Sequence, residues 1–112
     1  MDKSSAREST MDRINERLAR ARERYKEKLI HNLDELDELL RSGRASSSAL
    51  ADAQRLAHKI CGSAGTFGFK GVSEAIGAID CDLLRLLSGQ VQQTQELWSR
   101  VCQRMLKAHE LG

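Results

Sequence analysis

Ala57-His-Lys-Ile-Cys-Gly-Ser-Ala-Gly-Thr-Phe-Gly-Phe69 is the stretch on which the reading of the whole chain turns. Its apolar spacing is helical, yet it holds three glycines, Gly62, Gly65 and Gly68. A glycine inside a helix costs about 1 kcal/mol relative to alanine, and less where it sits at the helix end. Bare backbone here therefore serves something other than helix stability. At about 100° per residue, Gly62 lies roughly 40° and Gly65 roughly 20° from His58 around the helix axis. The surface cleared of side chains is the surface around the histidine. His58 is expected to project from the protein, with Gly62 and Gly65 letting a macromolecular partner close on it.

Outward from this stretch the chain reads as four amphipathic helices. Residues 1–10 are small and polar and are expected to form a flexible N-terminus, with Ser9 or Thr10 capping a helix that has Asp12 in its first turn. From there Ile14, Leu18, Ala21, Tyr25, Leu29, Leu33, Leu36 and Leu40 recur every three or four residues. This is one apolar stripe along a long helix, or along two helices separated by a bend. Its upstream part is the more charged and extends beyond the core. Gly43 suits the end of this helix, and one of Ser46 to Ser48 suits the cap of the next.

The second helix is expected from about Ser47 to Thr66, with Ala53, Leu56, Ala57, Ile60, Ala64 and Phe67 inward. Phe69-Lys-Gly71 reads as a short turn. A third helix follows with Val72, Ile76, Ile79, Leu83 and Leu86 on one side, ended by Leu87-Ser-Gly-Gln90. A last helix carries Val91, Leu97, Trp98, Val101, Met105 and Ala108. Four such helices joined by short loops pack most simply as an antiparallel up-down four-helix bundle, an all-α domain spanning residues 11–112.

Composition agrees. The chain has 112 residues, no proline, 4% aromatic and 30% charged residues, which favours helices over strands. A net charge of +2 does not imply nucleic acid. Arg13, Arg17, Arg20, Arg22 and Arg24 are interleaved with Glu16, Glu23 and Glu27, the pattern of a solvated helix face. No apolar run approaches the roughly 20 residues that span a membrane. Cys61, Cys81 and Cys102 are odd in number and widely spaced, which points to free thiols in a reducing, cytoplasmic setting.

The core positions of the second helix centre roughly 180° to 220° from His58. The histidine therefore faces away from the core, with Gln54, Arg55, Cys61, Gly62 and Gly65 on its own face. An imidazole's ordinary pKa of about 6.5 leaves a neutral, nucleophilic nitrogen at cellular pH. One ring nitrogen can attack while the other donates a hydrogen bond that fixes the tautomer. A phosphoryl group gained there would be offset by Lys59, with Arg55 as a second cation. Asp80, at the edge of the next helix's apolar stripe, is a candidate to orient the ring; spacing alone leaves it equally readable as a solvated charge.

At His58, Lys59, Gly62, Ser63, Ala64, Gly65 and Gly68 the chain resembles the histidine-containing phosphotransfer (HPt) domain family. The Ser63-to-Phe69 run is also similar to the phosphotransfer domain of chemotaxis histidine kinases. The resemblance implies a four-helix bundle whose His58 accepts a phosphoryl group from a receiver-domain aspartate or a kinase domain and passes it to another receiver. It implies receiver domains or a hybrid sensor kinase as partners, no cofactor of its own, and Mg²⁺ in the partner's site. By its distance from His58, Asp80 falls where the family has the polar residue that bonds the histidine. Many members carry lysine three residues after the histidine, where this chain has Cys61. The phosphate-stabilising charge then falls to Lys59, alone or with Arg55 or Lys70. Gln54, Arg55, Cys61, Gly62, Gly65 and Phe69 are expected to border the docked partner.

Other readings compete. His58 and Cys61 share a helix face and, with Cys81, would make part of a metal or redox site. A non-phosphorylated helical adaptor would use the same bundle for docking alone. A dimeric sensor-kinase hairpin also exposes a histidine, but such hairpins carry an acidic residue after it and a nearby proline, and this chain has Lys59 and no proline. Glycine-rich nucleotide boxes are absent, so a monomeric carrier without its own ATP-dependent kinase activity is expected. His31, His109 and Trp98 read as structural.

Overall fold

The computed structural model describes residues 3–111, with side chains described from residue 10. Among these residues the chain is four helices: α1 (Lys3–Gly43), α2 (Ser47–Thr66), α3 (Lys70–Leu87) and α4 (Gln95–Leu111). Each helix packs on its neighbour in sequence, and α4 returns to a thinner contact with α1. Contacts pair rising with falling residue numbers throughout. Tyr25 meets Ser63 and Gly43 meets Leu50 across α1–α2, Gln54 meets Asp80 and Cys61 meets Ser73 across α2–α3. Asp82 meets Arg104 and Gly71 meets Leu111 across α3–α4. The bundle is thus antiparallel and up-down, as its short loops dictate.

The core is the four apolar stripes laid together. Leu29, Leu33 and Leu36 of α1, Ile60 of α2, Ile76, Ile79 and Leu83 of α3 and Val101 of α4 are all but fully buried. Removing each such side chain from water stabilises the fold by about 1.5–3 kcal/mol. Trp98 is buried, as its helical spacing indicated. Asp80 and Asp82 are the charged residues buried among those described, and both sit on α3. No buried side-chain nitrogen or oxygen among the described residues lacks a hydrogen-bond partner.

Local signals explain the helix ends. Ser46 caps α2, its hydroxyl accepting from the Ala49 amide at 3.3 Å. Thr94 does the same for Leu97 at the start of α4. α2 stops because Gly68 takes a left-handed conformation, φ +84°, that a side chain would strain. The Gly68 amide donates to the Gly65 carbonyl and the Phe69 amide to the Ala64 carbonyl, which closes the helix end and turns the chain into α3.

Three boundaries differ from the sequence reading. α1 is one continuous helix, and its backbone runs through Ser9 and Thr10, the expected caps, up to Lys3. No proline or glycine stands upstream of them to stop it. The turn after α2 is Phe67 to Phe69, and Lys70 and Gly71 already belong to α3. Val91 lies outside α4 and is exposed, because the α3 exit at Gly89, φ +76°, carries it away from the core. No described helix is long and apolar enough to cross a membrane.

Candidate functional site

His58 stands on the outer face of α2 with 77% of its side chain exposed. Its Nδ1 lies 3.0 Å from Oδ2 of Asp80, a residue of α3 that is itself buried. The other carboxylate oxygen accepts from the Gln54 side-chain amide at 2.8 Å. A carboxylate only accepts, so Nδ1 carries the proton and the lone pair resides on Nε2. Burying a carboxylate is costly unless it is bonded, and these two bonds satisfy Asp80 from both sides. The result is an imidazole fixed at its inner nitrogen and open at its outer one. Asp80 thus meets His58 as the family resemblance implies.

Gln54 is half-buried and turns its amide inward to Asp80, bracing the carboxylate. Cys61 turns inward as well. Its thiol is half-buried against α3, 3.6 Å from the Ser73 hydroxyl, which donates to the Cys61 carbonyl at 2.8 Å. Phe69 is half-buried beside Tyr25, with its ring under the Arg22 guanidinium at 4.7 Å. Rotation around one helix says which way a residue points, and says nothing of how close the next helix comes.

The three glycines of the opening stretch have three different surroundings. A Cβ at Gly62 would meet nothing within 4 Å, so this position is open as expected. A Cβ at Gly65 would come within 3.3 Å of the Ser73 hydroxyl, so this glycine admits α3 as well as sparing the outer surface. Gly68 supplies the left-handed turn. Across from them, Gly77 of α3 leaves room for the Cys61 thiol, which a Cβ there would approach to 3.0 Å. Small residues on both helices bring α3 close enough for Asp80 to reach His58.

Cations flank the histidine. Lys59 is exposed one residue on. Arg55 is exposed and pairs loosely with Asp52 at 3.6 Å, a surface pair worth at most about 1 kcal/mol and easily exchanged for a bound anion. Lys70 opens α3 and is exposed. Behind His58, sequence reasoning missed a buttress. The Ser63 hydroxyl donates to the Lys59 carbonyl at 2.8 Å, so the Tyr25 hydroxyl donates to Ser63 at 2.9 Å. Tyr25 also stacks on Phe67, centroids 4.4 Å apart. Its place in the α1 stripe was the only signal. Burial raises the Tyr25 hydroxyl pKa above its ordinary value near 10.

The metal reading does not assemble. The Cys61 thiol turns to Ser73, His58 turns to Asp80, and Cys81 is exposed elsewhere on α3. Among the described residues the metal-capable groups that converge are Asp34, Asp37 and His109, on the other side of the bundle. A cleft of about 280 Å³ also lies there, between α1 and α4, with Leu40, Trp98 and Met105 in its walls. Nothing encloses His58 itself.

An all-α bundle with an open histidine locked by a buried carboxylate defines a class of scaffold whose reactive group must be enclosed by something else. The chain belongs to the Hpt domain family, whose model matches residues 8–110. Among curated proteins and solved structures, none matches. The family places the chain among histidine phosphotransfer domains of phosphorelays, which work with receiver domains and kinases of two-component systems.

Proposed function

We propose that this chain carries a phosphoryl group on Nε2 of His58, taking it from a receiver-domain aspartyl phosphate or a kinase domain and delivering it to another receiver. The observation that carries the reading is the exposed ring whose Nδ1 is held by buried Asp80. The Nε2 lone pair attacks phosphorus, the bond from phosphorus to the acyl oxygen breaks, and the aspartate leaves as a carboxylate. The ring then bears a proton on one nitrogen and phosphorus on the other, so positive charge develops on it. Asp80 faces that charge across 3.0 Å and needs no reorganisation to stabilise it. Return transfer runs the same path in reverse.

The remaining roles follow from position. Lys59 offsets the phosphoryl charge, and Arg55 exchanges Asp52 for it. Gly62 leaves the approach open. Mg²⁺ and the other groups that stabilise the transferring phosphoryl come from the receiver. The chain acts as a monomer in the cytoplasm and has no ATP-dependent kinase activity of its own.

The test is incubation with phosphorylated receiver domains, followed by mass-spectrometric mapping. An acid-labile, base-stable phosphate at His58 is expected, absent from a folded His58→Gln variant. Uptake that survives in that variant overturns the assignment. Uptake from ATP alone overturns the carrier-only role, and docking of receivers with no uptake at all favours a pure adaptor.

A further inference from the structure

The upstream end of α1 reaches beyond the other three helices. α1 has 41 residues against 17 to 20 in the other helices, and the molecule is 67 Å long but only 23 and 21 Å across. Every described residue from Thr10 to Arg20 is exposed. Three large apolar side chains are among them: Met11 at 56%, Ile14 at 45% and Leu18 at 63%. They are not scattered. Met11, Ile14, Leu18, Ala21 and Tyr25 follow one another at spacings of three, four, three and four, and share an arc of roughly 80°. That is the narrow seam of a two-helix coiled coil, not the broad face of a membrane-surface helix. At Tyr25 the seam runs without a break into the stripe that forms the core.

The charges beside the seam select its occupant. Arg17 and Arg24 flank it on one side, and Arg22 with Asn15 on the other, roughly 60° to 100° from its centre. Asp12, Glu16 and Glu23 lie roughly 140° to 180° away, on the opposite face. In a coiled coil the flanking positions face the partner's flanking positions. A second copy of the chain would set arginine against arginine in either orientation. A helix flanked by glutamate or aspartate would pair with all three.

We propose that residues 11–24 of α1 are a docking seam for an amphipathic helix with an apolar stripe and acidic flanks, supplied by another protein or domain. The occupant ends against the turn at Phe67 to Phe69, where Arg22 covers Phe69. His58 lies eight residues before the end of α2, about 12 Å down the bundle.

The probe is a labelled three-heptad peptide with leucine and isoleucine in its seam and glutamate at its flanks, titrated with the full chain. Saturable binding is expected, weakened by salt, and roughly tenfold weaker for the same peptide with lysine flanks. Leu18→Lys is expected to weaken the glutamate peptide by roughly tenfold or more. Leu18 is exposed and outside the core, so this variant keeps its fold. The added positive charge would strengthen attraction that was merely electrostatic, so an unchanged or tighter affinity overturns the seam. No binding of the glutamate peptide, or equal binding of both peptides, overturns it too. So does sedimentation as a dimer that Leu18→Lys dissolves, or Leu18-dependent binding to anionic vesicles without peptide binding. Uptake of phosphate at His58 is read in parallel and is expected to be unchanged by Leu18→Lys, so the seam and the phosphotransfer reading stand or fall separately.

Discussion

Two histidine–carboxylate pairs stand among the described residues, and they differ in almost everything but chemistry. His58 binds Asp80 through Nδ1 at 3.0 Å, and His109 binds Asp37 through Nε2 at 2.7 Å. In the first pair the histidine is open and its carboxylate is shut in, 77% against 11% exposed. In the second both groups are about one-third exposed. Asp80 has a second donor in Gln54, while His109 lies along a cleft shared with Trp98 and Met105. A hydrogen bond to a carboxylate is therefore not what marks a reactive histidine. On the proposed reading the asymmetry is what marks it: a fixed inner nitrogen, a free outer one, and nothing around the free one.

The largest effect is expected from removing each ring in turn. His58→Gln should lower phosphoryl uptake by more than about a thousandfold, as loss of a nucleophile does. His109→Gln should leave it within about twofold. Equal losses in the two variants would erase the distinction between the pairs. Next come the carboxylates. Asp80→Asn keeps the shape but loses the charge opposite the developing imidazolium, and its amide can offer Nδ1 the wrong partner. Transfer should slow by roughly tenfold, about 1.4 kcal/mol of barrier, in single-turnover kinetics. Asp37→Asn should not change it.

Surroundings give a smaller effect. Gly62→Gln should slow transfer several-fold while raising helix stability by up to about 1 kcal/mol in denaturant melts. Leu106→Gln, beside His109, should not alter transfer. If Gly62→Gln transferred at the parent rate, open backbone would have no part in docking. Stability separates the pairs less. His109→Gln breaks a half-buried hydrogen bond between α1 and α4 and should cost about 1 kcal/mol. His58→Gln removes one of the two donors to the buried Asp80 carboxylate and should cost at least as much.

The smallest effect concerns the buttress behind His58. The folded pKa of Tyr25 is raised by burial. Its contribution to stability is intact below the ordinary value of about 10 and is lost as pH rises from there through the folded pKa, because only the unfolded chain ionises freely. Tyr25→Phe should flatten that alkaline loss in thermal melts, after a small uniform cost from the lost Ser63 bond.

Much of this could be read in the sequence because it depends on local order. The apolar stripes give four helices, the serine before α2 gives its cap, and the glycines around His58 give the open face. Asp80 stood even between two roles because its partner is 22 residues away, and spacing within one helix cannot say how close another helix packs. The contacts that Gln54, Cys61 and Gly65 make with α3 were hidden for the same reason: rotation places all three near His58 and is silent on the next helix. The length of α1 was underestimated because Ser9 and Thr10 are good caps that nothing upstream forces the chain to use.

The bracing of Asp80 from both sides sets a rule of timing. With its inner nitrogen pinned, the ring offers one berth on one line of approach. On the proposed reading a donor and an acceptor cannot share it, so each must leave before the other arrives. Relay through this chain then works by turns, and its pace is set by how quickly a spent partner departs.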